Sequence, residues 1–261
     1  MASKKAVAAK EKAGLPATLE EEMAMDAGAG QENITSDDVS IPFLRILQAG
    51  SPQVKKKDGA YVEGAEEGMM FNTVTGELWE EDNGPIVVPC FYNFKYIVWA
   101  DRTNKNAEGI QDTFVRGQPL PLISKDDRGR DITVDGHILT PTSEFYVLIV
   151  DPDSGTFEQA VMSMSSTQLT PAKKWNAIIK QQIQKTAEGP KPAAIYSRMY
   201  NLRTVGRSND DGSWSVWEIN LNGTVENLDI YRAAKGFASA IESGVAQAKY
   251  TSPEEDIQEV M

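Results

Sequence analysis

Tyr196, Arg198 and Tyr200 recur at every second residue of AIYSRMYNLRTVGR, and an extended strand brings such residues to one face. An exposed row of this kind has a definite chemical use. Each tyrosine ring offers a π-face to a nucleobase and the guanidinium neutralises a phosphate, with no dependence on base sequence. Arg203, Arg207 and Trp214 lie around the same hairpin, whose turn falls at residues 209–212, and they extend the path. The blander reading of the tyrosines is a surface row shielding a packed helix. A second aromatic run, CFYNFKYIVWADR at residues 90–102, threads Lys95 and Arg102 among five aromatic rings. Alternation puts Tyr92, Phe94, Tyr96 and Val98 on one face, expected to be the core face, and Phe91, Asn93, Lys95, Ile97 and Trp99 on the other. Lys95, Trp99 and Arg102 are then the residues expected to touch a bound strand, against the simpler alternative of a central strand packed on both sides.

The charge distribution supports a polyanion as partner despite a net charge of -12. The two ends are acidic. Residues 251–261, TSPEEDIQEVM, hold Glu254, Glu255, Asp256 and Glu259 with no base, whereas residues 161–210 carry eight cations against two acids, a local +6. Lys173 and Lys174 belong to that basic region; the solvated side of an amphipathic helix is their plainer reading. An acidic tail beside a basic groove can occupy the groove when nucleic acid is absent and dock on partner proteins when it is displaced, so the four acids are the expected partner-binding residues.

These residues need elements to hold them. Residues 1–38 are rich in Ala, Glu, Lys and Gly and are expected to be disordered, or transiently helical around LEEEMAM. One domain is expected over residues 39–249, with an acidic tail from residue 250. Within the domain, GMMFNTVTGELW looks like a strand pair and residues 86–100 like one long strand; residues 101–143 look like a long connection with at most a small hairpin at 131–139. EFYVLIV and FEQAVMSM form a hairpin through Gly155. A helix runs from Thr170, as N-cap, to Ile183, with Trp175, Ile178, Ile179 and Ile183 as its apolar stripe. Two more strands and a closing helix over about residues 225–248 complete the order. Strand, hairpin, helix, hairpin is the order of a five-stranded OB barrel with an inserted helix; the expected fold is α+β, predominantly β, with a C-terminal helix, and a plain α+β sheet is its competitor.

Several classes of chemistry are disfavoured. One cysteine, Cys90, allows no internal disulfide, and one histidine, His137, leaves no Cys/His zinc cluster. Walker A, dinucleotide and GxSxG patterns are absent, and the acids in DPDSG and SNDDGS serve hairpin turns without calcium-loop spacing. No catalytic role, cofactor or metal is expected. No apolar run is long enough for a bilayer and the N-terminus has no secretory pattern, so a cytoplasmic location is expected.

IPFLRILQ, GMMFNTVTGELW, VVPCFYNFKYIVWADR, SSTQLTPAKKWN and the acidic end together resemble a family of bacteriophage proteins described as single-stranded DNA-binding proteins, over most of residues 38–245. The resemblance implies a replication and recombination accessory protein that coats single strands without sequence preference. It supplies no residue-level map, so the residues above rest on the strand reading. Two other classes stay open: a phage interaction protein that redirects a host enzyme as an acidic nucleic-acid mimic, and a carboxylate–metal nuclease.

Overall fold

From Ile86 to Trp99 the chain is β-branched, aromatic or otherwise apolar at most positions, and this 14-residue strand organises the rest. The computed structural model describes residues 17–26, 28–35, 38–101, 109–127, 129–210 and 212–250. The chain divides into a unit of residues 1–39 and another of residues 40–261. In the first, helix α1, Ala17–Met25, covers the LEEEMAM segment, where a transient helix is the alternative to disorder. The second opens with the short strands β1 (Leu44–Ile46), β2 (Met70–Asn72) and β3 (Leu78–Trp79), followed by the long strand β4 (Ile86–Trp99). Then come β5 (Ile110–Val115), β6 (Ile123–Lys125), β7 (Asp131–Thr133), β8 (Ile138–Val150) and β9 (Phe157–Ser165). Helix α2 (Leu169–Lys180), the hairpin β10 (Ile183–Thr186) and β11 (Gly189–Pro192), strands β12 (Arg198–Asn209) and β13 (Gly212–Thr224), and helix α3 (Leu228–Glu242) complete it.

The main sheet is an open, curled antiparallel half-barrel of eight strands in the order β13-β12-β4-β8-β7-β6, with β5 also paired to β4 and β9 to β8. A closed five-stranded OB barrel is therefore not what forms. One reason lies in residues 101–143, whose described part supplies β5, β6, β7 and the first six residues of β8 instead of a loop. Strands β5 and β6 are largely solvent-exposed, so their sequence carries little apolar alternation to betray them. Strand β4 pairs with β8 along its length, while its other edge is shared by β12 at Ile86–Val87 and β5 at Lys95–Trp99.

The edge at β13 is met by side chains in place of a strand. Gln168 accepts from Trp217 N at 3.1 Å and donates to Ser215 O at 2.9 Å. Gln48 accepts from Ser215 N at 2.9 Å and also donates to Ser215 O at 2.9 Å. A primary amide carries both donor and acceptor, so each glutamine imitates a strand residue and blunts the edge. This also explains why Gln168, at the N-cap position of α2, makes no side-chain cap: its amide is committed to β13. Replacing Gln168 with leucine strands the buried Trp217 N–H and lowers stability by about 1–3 kcal/mol. Urea unfolding tests this; a lower midpoint with an unchanged slope is expected, and an unchanged midpoint would refute the closure.

Both faces of the sheet are packed. Val87, Phe145, Val147 and Tyr200 meet Leu44, Ile46, Met70 and Trp175 on one side. Val88, Tyr146 and Leu148 meet Ile230, Ala234 and Phe237 of α3 on the other. Strand β8 is consequently buried without a break from Thr142 to Leu148. Helix α2 starts at Leu169, one residue before the expected N-cap Thr170, and stops at Lys180. Ile183, expected on its apolar stripe, stands exposed on β10 opposite Pro192. Helix α3 begins at Leu228, capped by Asn227, whose Oδ1 accepts from Asp229 N at 2.8 Å and Ile230 N at 3.2 Å. Among the described residues no helix is long and apolar enough to cross a membrane.

Candidate nucleic-acid interface

The hairpin β12–β13 sets Arg207 directly opposite Trp214, Val205 opposite Val216 and Arg203 opposite Glu218. Cross-strand partners share a face, so this row carries two guanidinium groups and an indole. Helix α2 passes beside it, and between them lies an open cleft of about 360 Å³. Lys174, Thr167 and Thr170 line it from the helical side, and Arg207, Trp214 and Glu218 from the hairpin; Trp175 and Trp217 also contribute to its wall. Lys174 and Arg207 are exposed and Trp214 is half-buried. Neither cation makes an ion pair among the described residues, and the buried indole N–H groups of Trp175 and Trp214 have no hydrogen-bond partner there. Two exposed cations without an ion pair suit an anionic ligand.

The structure thus brings together Lys174, Arg207 and Trp214. Arg203 is exposed on the same row, and Lys173 is exposed on α2 outside the cleft lining. It does not produce the exposed Tyr-Arg-Tyr row. Tyr196 sits in a short 3-10 turn, Ile195–Ser197, with its ring 5.3 Å from that of Tyr231. Arg198 is buried and donates to Ser197 O at 3.1 Å and Ile183 O at 3.0 Å, which ties it to the base of the β10–β11 hairpin. Tyr200 is fully buried, its ring 5.6 Å from Trp175, and burial pushes its phenol up to about 12. The face expected to be wet is the core face: Tyr200 and Leu202 are buried in one cluster with Trp175 of α2, and Thr204 is buried beside them on the strand.

The pair Lys95 and Trp99 is sealed as well. Trp99 is 2% exposed, and Lys95 Nζ lies 2.6 Å from a carboxylate oxygen of the fully buried Glu144. Tyr250 completes this cluster. Its hydroxyl donates to Glu144 and lies 3.2 Å from Ser163 Oγ, its ring packs against Phe43 and Trp99, and Lys95 Nζ stands 4.8 Å from its centroid. Tyr250, expected as the first tail residue, is therefore part of the packed body. Arg102 and the acids Glu254, Glu255, Asp256 and Glu259 lie outside the described residues. Cys90 is buried, and burial pushes its thiol up to about 12, away from the reactive thiolate.

With the geometry in place, comparison with known proteins adds one assignment. A family model described as Pam3 phage gp34-like protein matches residues 9–247. The chain belongs to that family. No curated protein and no solved structure matches it. The cleft and the Lys95–Glu144 pair fall inside the matched span, and Tyr250 lies just past it. The match makes the chain a phage protein, which is what the resemblance in its sequence had indicated at the coarsest level.

Several contributors to this phage protein's surface were missed from sequence. Thr167 and Thr170 gave no signal beyond helix capping. Phe94 and Tyr96, assigned to the core, are only half-buried. The guanidinium of Arg116 lies 4.2 Å from the Phe94 ring centroid, although Arg116 belongs to the segment expected to be a loop. The cross-strand pairing of Tyr96 with Phe114 on β5 was the feature needed to find them.

Proposed function

We propose that this protein binds single-stranded DNA without sequence preference, through the cleft between α2 and the β12–β13 hairpin, in support of phage replication and recombination. The observation that carries the reading is the convergence of Lys174, Arg207 and Trp214 on one open cleft. Lys174 and Arg207 belong to the basic stretch of residues 161–210 in an otherwise acidic chain. Lys174 and Arg207 neutralise phosphates while the indole offers a stacking face, a combination that tolerates any base. Duplex DNA hides its base faces inside the helix and gains only the phosphate contacts. In this reading the protein acts in the host cytoplasm as a binding protein, and Glu254, Glu255, Asp256 and Glu259 recruit replication or recombination partners.

Gel-shift titration of the purified protein with oligo-dT and with a duplex of equal length, at low salt, tests the proposal. Preferential retardation of the single strand is expected. No shift of either DNA, together with capture of a host protein from nuclease-treated lysate, would instead favour an acidic nucleic-acid mimic; loss of the strand in the presence of magnesium or manganese would favour a nuclease.

A further inference from the structure

The aromatic side chains on the α2 side of the sheet form a connected row. Tyr200 meets Trp175 at 5.6 Å between centroids, Trp175 stacks on Phe145 at 4.2 Å, and Phe145 meets Tyr92 at 4.9 Å. The first three are fully buried, with Trp175 supplied by α2. Along β4 the same face continues through Phe94 and Tyr96, where the strand is only half-buried. Their rings pack edge-on at 5.3 Å. Strand β5 sets Phe114 opposite Tyr96, and just past its end Arg116 lays its guanidinium over Phe94 at 4.2 Å.

This emergent end of the row differs from ordinary core in two ways. Arg116 is exposed and makes no ion pair among the described residues. Its neighbours across β4 and β8 are also uncharged, since Phe94 lies opposite Ser143 and Tyr96 opposite Pro141. Glu144 is committed to Lys95, and Asp112 stands opposite Val98, one position beyond Tyr96 on that row. A guanidinium seated over a ring, with no carboxylate paired to it, leaves N–H groups available to an anion.

We infer that Phe94, Tyr96 and Arg116 form a second nucleotide subsite, in which a base of single-stranded DNA stacks on the guanidinium or the Tyr96 ring and its phosphate is held by the Arg116 N–H edge. The inference rests on the single-strand reading of the cleft. It extends that reading by adding a second place at which an unpaired base and its phosphate can be held, reached by a strand longer than the cleft alone accommodates. The chemistry specifies an unpaired polynucleotide: rings and guanidinium need an unstacked base, and the unpaired charge needs a phosphate.

The test is a fluorescence-anisotropy titration of the full chain with labelled oligo-dT of increasing length, comparing the wild type with Arg116→Ala, Tyr96→Leu and Arg207→Ala. Thermal melting serves to confirm that each variant is folded. Arg116→Ala is expected to leave the shortest oligonucleotides unaffected and to weaken binding of those long enough to span both subsites by roughly 5- to 100-fold. Its salt slope should shrink by about 0.7, and Tyr96→Leu should weaken long but not short oligonucleotides. If Arg207→Ala weakens binding while folded Arg116→Ala and Tyr96→Leu match the wild type at every length, the second subsite is refuted and the cleft reading stands. If the wild type binds no oligo-dT at any length, the cleft reading fails and the subsite with it.

Discussion

Replacing Lys95 with alanine should lower the stability of the protein by about 3–5 kcal/mol, the effect of leaving one member of a buried ion pair without its partner. Lys95 Nζ lies 2.6 Å from Glu144, whose side chain is fully buried, and the lysine side chain itself is only 13% exposed. The carboxylate would retain Tyr250, with Tyr146 and Asn93 at 3.5 Å, none of which carries a compensating charge. Tyr250 would also lose the cation beside its ring, so the residues just before the acidic segment should loosen together with the core. Urea unfolding measures the loss, and DNA titration of the folded variant should give wild-type affinity. A Lys95→Ala protein of unchanged stability but weakened single-strand binding would reverse this and make Lys95 a phosphate contact.

The second large effect is expected in the cleft. Trp214→Ala removes a stacking face worth about 1–3 kcal/mol per base, and Arg207→Ala removes one neutralised phosphate, reducing the salt slope by about 0.7. The two side chains lie directly opposite each other on the hairpin, so their effects should be coupled and the double variant should fall short of the sum. Trp214→Phe keeps a π-face and should retain most of the affinity, whereas an ordinary packing role for Trp214 would show in the melting temperature of both variants and leave DNA binding intact. Affinity unchanged in the folded double variant would remove the cleft from the account.

How far the sequence reveals these features depends on what each residue's surroundings add to its type. The long strand β4 announces itself through its β-branched and aromatic run, and α2 through the spacing of Trp175, Ile178 and Ile179. Arg207 and Trp214 could be associated because the turn at residues 209–212 fixes the pairing of the strands it joins. Arg198 and Tyr200 misled because a cation and a phenol suggest a wet face. Their burial depends on carbonyls of Ser197 and Ile183 and on the ring of Trp175, which only the tertiary fold brings near. The register shift between Met199 and Tyr200 places its extra residue, Asn222, on β13, so alternation along β12 holds from Arg198 to Thr204, and what alternation alone does not reveal is which of the two faces is covered. Lys95 misled for a related reason: Glu144 is 49 positions away and reaches it only because β4 and β8 pair. The open sheet in place of a barrel was hidden in Gln48 and Gln168, whose amides close an edge that no hydrophobic pattern marks.

The central claim is that cations in and beside the cleft hold single-stranded DNA. The most direct measurement is the affinity of the full chain for oligo-dT and for duplex DNA across a series of salt concentrations. With Lys174, Arg203 and Arg207 each neutralising a phosphate, and Arg116 adding a fourth, log Kobs for the single strand should fall linearly with log salt at a slope between about -2 and -3, and duplex should bind more weakly throughout. Equal affinity for the two forms, or single-strand binding that does not change with salt, would contradict it.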